Sequence, residues 1–306
     1  MDHPCLWILA ALLACGACSA QTRSVAITVD DLPLPDGGSA ADAERVNHAI
    51  LHALARFHAP ATGFVVEKWL QSVGAEPGKA ILREWLDAGQ DLGNHTFSHA
   101  DLNALTVDQF RTEVIDGEPA LRAVLGERGR TPRYFRFPYL STGNTEEKHD
   151  AVAAFLAGRG YSNATCTISN SDWEFTRAYE AALARHDRQA ASKLRADYLA
   201  HTAAVIDYET AVNLKVFGRD VPHVMLLHAN RLNADAFADV LRVFETKGYR
   251  FVTLDQAQSD AAYKTPDTFA SGTGGLWGHR WARQRGIAVG DIEAPQLPAW
   301  VLQYGK

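Results

Sequence analysis

Short apolar runs alternate with helix-period segments along most of this chain, and that alternation restricts its fold more than any other feature. Residues 24–29 (SVAITV) form a β-branched run that reads as a buried strand and leads into Asp30-Asp31. Further strands are expected at 62–67, 91–94, 134–137, 162–168, 224–227 and 250–254. Helical periodicity covers 40–57, 79–88, 107–125, 146–156 and 235–247. Strands that alternate with helices imply parallel pairing through crossover helices. Seven or so such units predict an α/β fold, a regular or distorted (β/α) barrel. In that architecture the chemistry sits at the C-terminal ends of the strands. Asp30, His95, Pro138-Tyr139, Asp172 and His228 all fall at such ends.

The 306 residues suffice for one large barrel with additions. An apolar share of 47% and a charged share of 22% exclude a disordered or collagen-like chain. A net charge of -6 argues against a nucleic-acid binder with a strongly basic face. Two segments exceed a minimal barrel. One, about 174–218, is rich in Ala, Arg and Glu and predicts one or two inserted helices, expected to wall or cover one side of the site. The other, 259–306, is a weakly patterned, Gly- and Trp-rich tail whose tryptophans read better as packing anchors than as sugar platforms. The core domain is expected over 21–258.

Residues 6–18 form an apolar run too short to span a bilayer and suited to a signal-peptide core, with cleavage after Ala20. The segment before it, MDHP, carries no Lys or Arg, and a buried N-terminal helix is the alternative. Leu12-Leu13-Ala14-Cys15 resembles a lipobox, which would make a lipidated Cys15 the one route to membrane attachment. Either processing places the mature protein outside the cytoplasm: periplasmic, secreted or lipid-anchored. Three of the four cysteines lie in the leader, leaving Cys166 with no partner for an internal disulfide.

His95-Thr96-Phe97-Ser98-His99 spaces two imidazoles at i and i+4, which on a helix share one face within reach of one metal ion. His48 and His52 repeat that spacing without a neighbouring strand end and read as a helix face. What distinguishes the first pair is the carboxylate pair Asp30-Asp31, because open zinc sites commonly combine two His with one carboxylate. One Asp can bind the metal while the other acts on a water. An Arg such as Arg136 beside an Asp keeps it ionised. His228 closes an apolar strand and can donate a proton if Asp172 orients it; the alternative is a core histidine satisfied by backbone. No GxSxG occurs, and the segment from Gly74 to Lys79 is too short for a phosphate-binding loop.

TVDD at 28–31, HTFSH at 95–99, RFPY at 136–139, DW at 172–173 and LLH at 226–228 resemble, in order, the five motifs of the polysaccharide deacetylases with a NodB-homology domain, carbohydrate esterase family 4. The resemblance covers about 24–258 and implies a distorted (β/α) barrel. It implies that Asp31, His95 and His99 bind a divalent metal, zinc first, with manganese, cobalt or nickel as alternatives. Asp30 would be the general base, held by Arg136, and His228 the general acid, tuned by Asp172. The Tyr139 amide would help stabilise the oxyanion, and Trp173 and Leu226 would line the acetyl pocket. The implied partner is an acetylated carbohydrate, with an N-acetylglucosamine-type polymer ahead of O-acetylated xylan. A deformylase, a cyclic amidase and a non-catalytic glycan-binding envelope protein are the alternatives. Leu32-Pro33 after the Asp pair, Leu140 after RFPY and Ser169 before DW depart from the usual motifs and bear on the substrate groove.

Overall fold

The computed structural model describes residues 23–35 and 38–306. The leader expectations, Cys15 included, lie outside the described residues. No helix among the described residues is long and apolar enough to cross a membrane.

Eight strands build one parallel sheet. They are β1 (Ser24–Leu32), β2 (Ala61–Val65), β3 (Asp91–Asn94), β4 (Tyr134–Phe135), β5 (Ser162–Asn163), β6 (Ile168–Ser169), β7 (His223–His228) and β8 (Arg250–Phe251). Their order is β5-β4-β3-β2-β1-β7-β6, with β8 joined to the first two residues of β1. The sheet curves into a distorted (β/α) barrel. β1 is central and buried almost from end to end, as expected of a strand covered on both faces.

Helices surround the sheet: α1 (Ala40–Arg56), α2 (Glu67–Val73), α3 (Ala75–Asp87), α4 (Val107–Asp116), α5 (Pro119–Gly126), α6 (Glu146–Gly158), α7 (Asp172–Ala184), α8 (Arg188–Phe217), α9 (Arg231–Thr246), α10 (Leu254–Gln258), α11 (Trp277–Gln284) and α12 (Ala299–Tyr304). Local chemistry explains their starts. Ser39 accepts a hydrogen bond from the Asp42 amide at the head of α1, and Thr106 and Gln109 form a capping box on α4. Val46, Ile50 and Leu54 then turn one buried stripe of α1 into the core.

Two sequence expectations are corrected. The single helix over 107–125 is two helices, α4 and α5, because Pro119 cannot donate its amide to a continuing helix and instead opens α5. The single strand over 162–168 is two short strands at opposite edges of the sheet. Residues 164–167 bridge the open seam, with the Ala164 amide bonded to the Phe135 carbonyl and the Thr167 amide to that of Val224.

The long segment between β6 and β7 forms α7 and α8, whose inner faces join the main core through Phe175, Leu194, Tyr198 and Ile206. Beyond β8 the tail folds back. Trp277 and Trp281 are buried beside Val216 and Val221. Trp300 donates its indole N–H to Asp197 at 2.8 Å, with the Lys193 ammonium 3.9 Å from its ring centre.

Asn47 joins three elements. Its amide donates to the carbonyls of Pro33 (2.7 Å) and Ala43 (2.8 Å), and its oxygen accepts from the fully buried Trp85 indole at 2.8 Å. Asn47→Ala leaves the Trp85 N–H and the Pro33 carbonyl without this partner. The expected loss is about 1–3 kcal/mol for each buried group left unsatisfied. It should appear as a lower urea midpoint at unchanged m-value.

Candidate active site

The site lies where β1, β3, β4 and β7 end. Parallel register fixes who meets whom. Asp30 is paired with His228 across β1 and β7, and Leu32, Val65, Asn94 and Phe135 align through β1 to β4. Asp31, His95 and Arg136 therefore lie within a residue of this row.

The HTFSH segment is not helical, which corrects the sequence expectation. Residues 95–99 form a loop, and Thr96 (φ 70°) and His99 (φ 61°) adopt left-handed backbone. The Asn94 side chain holds the loop: its oxygen accepts from the Thr96 amide at 2.8 Å, and its amide donates to the Val114 carbonyl at 2.9 Å. The imidazoles still converge, with ring centres 4.9 Å apart. Asp31 Oδ1 lies 3.6 Å from His95 Nε2 and 3.5 Å from His99 Nε2. The three donor groups lie within 4.8 Å of one another.

These groups fit a divalent metal by their chemistry. His95 Nδ1 lies 2.8 Å from the Arg136 carbonyl, which can only accept. Nδ1 therefore carries the proton, and the Nε2 lone pair faces Asp31. Burial pushes both His95 and His99 down to about 3, so both rings are neutral near pH 7. His95 and Asp31 thus meet as two acceptors with His99 beside them, an arrangement that a cation satisfies. Two imidazoles and one carboxylate suit zinc and leave other first-row divalent ions open.

Asp30 is buried beside this set, with Oδ2 3.8 Å from His95 Nε2. Burial raises its carboxyl and the Arg136 charge opposes that rise. Arg136 is fully buried, donating to Asp30 (3.4 Å), Thr28 Oγ1 (3.0 Å) and the Thr165 carbonyl (3.5 Å) and lying over the Phe64 ring at 4.8 Å.

Across the cleft His228 Nδ1 lies 2.6 Å from Asp172 Oδ1. Asp172 Oδ2 accepts from the His228 amide (2.8 Å), Asn233 (2.5 Å) and Asn230 (3.3 Å). Burial disfavours the His228 imidazolium, but the Asp172 charge and hydrogen bond outweigh it and raise His228 to about 10. Trp173 meets the His228 ring edge-on at 5.9 Å. Tyr139 sits at φ 56° with its ring edge-on to His99 at 4.7 Å.

Asp30, Asp31, His95, His99, Tyr139, Trp173 and His228 border one cleft of about 840 Å³, with Arg136 behind Asp30 and Asp172 behind His228. Leu226 and Trp173 line it. α7 contributes Thr176, Arg177 and Glu180 to one wall, and α8 lines none of it.

The comparisons bear on this geometry. A sequence profile described as polysaccharide deacetylase matches residues 19–156. A chitooligosaccharide deacetylase of Bradyrhizobium is 30% identical over 118 residues, covering 39% of this chain and 47% of the relative. A peptidoglycan-N-acetylglucosamine deacetylase of Bacillus cereus is 30% identical over 236 residues, covering 75% and 66%. The chain belongs to the polysaccharide deacetylase family. It spans about half the length of the first of these relatives and 66% of the second. In fold it resembles a CE4 family pseudoenzyme of Bacillus anthracis, with a TM-score of 0.52, 15% identity, and coverage of 78% of this chain and 66% of that one.

Within this family member, the sequence reading missed the residues that hold the motifs. Asn94 immediately precedes HTFSH. Asn230 and Asn233 follow LLH in the pattern of a helix N-cap, and Asn230 indeed accepts from the Asn233 amide at 2.8 Å. Gly117 carried no legible signal inside an expected helix. A methyl there would stand 2.6 Å from the Thr96 carbonyl carbon and 2.8 Å from Asn94 Oδ1. Cys166 is buried, its thiol pushed up to about 12.

Gly117→Ala should shift the 95–99 loop and weaken zinc binding by about tenfold or more in titration calorimetry, with an unchanged far-ultraviolet spectrum. The Asp172–His228 pair gives a pH prediction. A histidine raised to about 10 in the fold stabilises fully below about 6.5, and that contribution disappears as pH rises through 10. The difference in urea midpoint between wild type and Asp172→Asn should therefore shrink from pH 6 to pH 10.

Proposed function

We propose that the protein is a metal-dependent hydrolase that removes acetyl groups from an extracytoplasmic carbohydrate, an N-acetylglucosamine-type polymer. The observation that carries this reading is the complete pairing across one cleft. Asp31 with the two neutral imidazoles of His95 and His99, and the Arg136-backed Asp30, face the Asp172-backed His228. Family membership supports acyl removal from a polysaccharide, and similarity to a chitooligosaccharide deacetylase and a peptidoglycan-N-acetylglucosamine deacetylase supports the N-acetyl amide as its bond. The apolar run at 6–18 supports an extracytoplasmic site of action, with lipidation at Cys15 as the alternative to free secretion.

Asp31, His95 and His99 would hold a divalent metal, zinc foremost, which supplies Lewis acidity toward a water and an acyl carbonyl. Asp30 takes the proton of the attacking water as the oxygen bonds to the acyl carbon. Arg136 fixes the Asp30 carboxylate, so the base is already aimed. The Tyr139 amide, on the turn bordering the cleft, donates toward the developing oxyanion. His228 holds a proton because Asp172 stabilises its imidazolium, and it gives that proton to the departing nitrogen as the C–N bond breaks. Trp173 and Leu226 form the apolar end that accepts the acetyl methyl. The products are acetate and a free amino sugar.

The test is acetate release from N-acetylglucosamine oligomers, peptidoglycan and acetylated xylan, with zinc or with chelator. Release should stop with chelator and return with metal. Asp30→Asn and His228→Ala should each lower kcat about 10²–10⁴-fold while retaining the fold. Near-normal turnover in either variant would overturn the assignment of base and acid. Formate release from an added N-formyl sugar without acetate release from the other substrates would favour a deformylase, and binding without turnover a glycan-binding protein.

A further inference from the structure

The tail that follows the barrel meets the site at the Tyr139–Leu140 turn, and that contact is made of buried, directional bonds. Tyr139 (φ 56°) and Leu140 (φ 55°) are consecutive non-glycine residues in the left-handed region. Such backbone persists only where its surroundings over-determine it. Within the turn the Leu140 amide donates to the Phe137 carbonyl and the Ser141 amide to that of Pro138, each at 3.1 Å. Residues 267–280 add further bonds from outside it.

Arg280 on α11 is 3% exposed. Its guanidinium donates to the Leu140 carbonyl at 2.6 Å, to Thr142 Oγ1 at 2.9 Å, to the Gly275 carbonyl at 2.8 Å and to Asp267 at 3.1 Å. The rings of Trp277 and Phe269 flank it at 3.8 and 4.5 Å. Backbone closes the rest of the contact. The Ser271 amide donates to the Gly143 carbonyl at 3.0 Å, and Gly274 packs so tightly on the turn that a methyl there would collide with the Tyr139 carbonyl oxygen.

We propose that residues 267–280 brace the Tyr139–Leu140 turn, and that Arg280 is a positioning residue for the Tyr139 amide. The guanidinium is bound on four sides and sandwiched between two rings, so it presents a fixed donor to a carbonyl that a relaxed turn would move. The catalytic consequence rests on the deacetylase reading. The structural brace does not.

The experiment compares wild type with Arg280→Ala, Arg280→Lys and Gly274→Ala, with the exposed Gln284→Ala on the same helix as control. Amide hydrogen exchange at Leu140 and Ser141 is read together with kcat, KM and zinc affinity. Arg280→Ala and Gly274→Ala should speed exchange at those two amides and lower kcat about tenfold or more, as misplacement of an oxyanion donor does. KM and zinc affinity should remain within about twofold, because the metal set is unaltered. Arg280→Lys keeps one donor for the Leu140 carbonyl and should recover part of both effects. Gln284→Ala should change neither. Wild-type exchange at both amides in folded Gly274→Ala and Arg280→Ala would overturn the brace. Faster exchange with unchanged kcat would overturn the positioning role. A wild type that releases no acetate from any substrate would defeat the deacetylase reading, while the exchange data would still decide the brace.

Discussion

The parallel pairing of β1 with its two neighbours is the constraint on which the site depends. Its register aligns Asp30 with His228 on one side and Leu32 with Val65 on the other. The Ala229 amide continues the ladder by donating to the Asp30 carbonyl at 2.9 Å. Strand periodicity is two residues, so a slip of one position would turn Asp30 and His228 toward the opposite face. Burial excludes that slip: Val25, Ile27 and Val29 each lose almost all solvent contact, and Asp30 in their place would be a charge without Arg136. The apolar core that sets the register therefore also sets the distance between Asp30 and His228.

The carboxylates and cations of the site are tolerable in that interior only as pairs. Arg136 has no exposed surface and Asp172 has none. Each is bonded on several sides, Arg136 by Asp30, Thr28 and the Thr165 carbonyl, Asp172 by His228, Asn230 and Asn233. A buried ion lacking its partner costs several kcal/mol, so the two pairs stabilise one arrangement of charge over others. This arrangement leaves His95 and His99 neutral while His228 stays protonated. The same low-dielectric setting thus yields opposite proton states, decided by whether a carboxylate bonds the ring directly.

Much of this was legible in the chain, for physical reasons. The run from Ser24 to Val29 is too apolar and β-branched for a surface, so the acids after it had to lie at a strand end. The run before His228 is equally plain. The order of the strands, by contrast, depends on pairings between distant residues, and β5 and β6 looked like one strand because no Gly or Pro interrupts residues 162–168. HTFSH has helical spacing but lies in a loop, since Asn94 captures the Thr96 amide before a helical turn can form. No local pattern reports that Arg280 bonds the Leu140 carbonyl across 140 positions of sequence.

Left-handed backbone in non-glycine residues is concentrated around the candidate site, with His58 and His186 the two outside it among the described residues. Asp31, Thr96, His99, Tyr139, Leu140 and Ser171 all have φ between 55° and 72°. Each lies in a motif or next to one. Left-handed backbone in a non-glycine residue costs of order 1 kcal/mol or more. The compensation comes from groups outside the motifs: Asn94 for the Thr96 loop, Arg280 and the tail for the Tyr139 turn, and Asn230 and Asn233 for the carboxylate that follows Ser171. Motif residues aim donors and acceptors into the cleft, and these outlying residues keep the backbone from relaxing away from it.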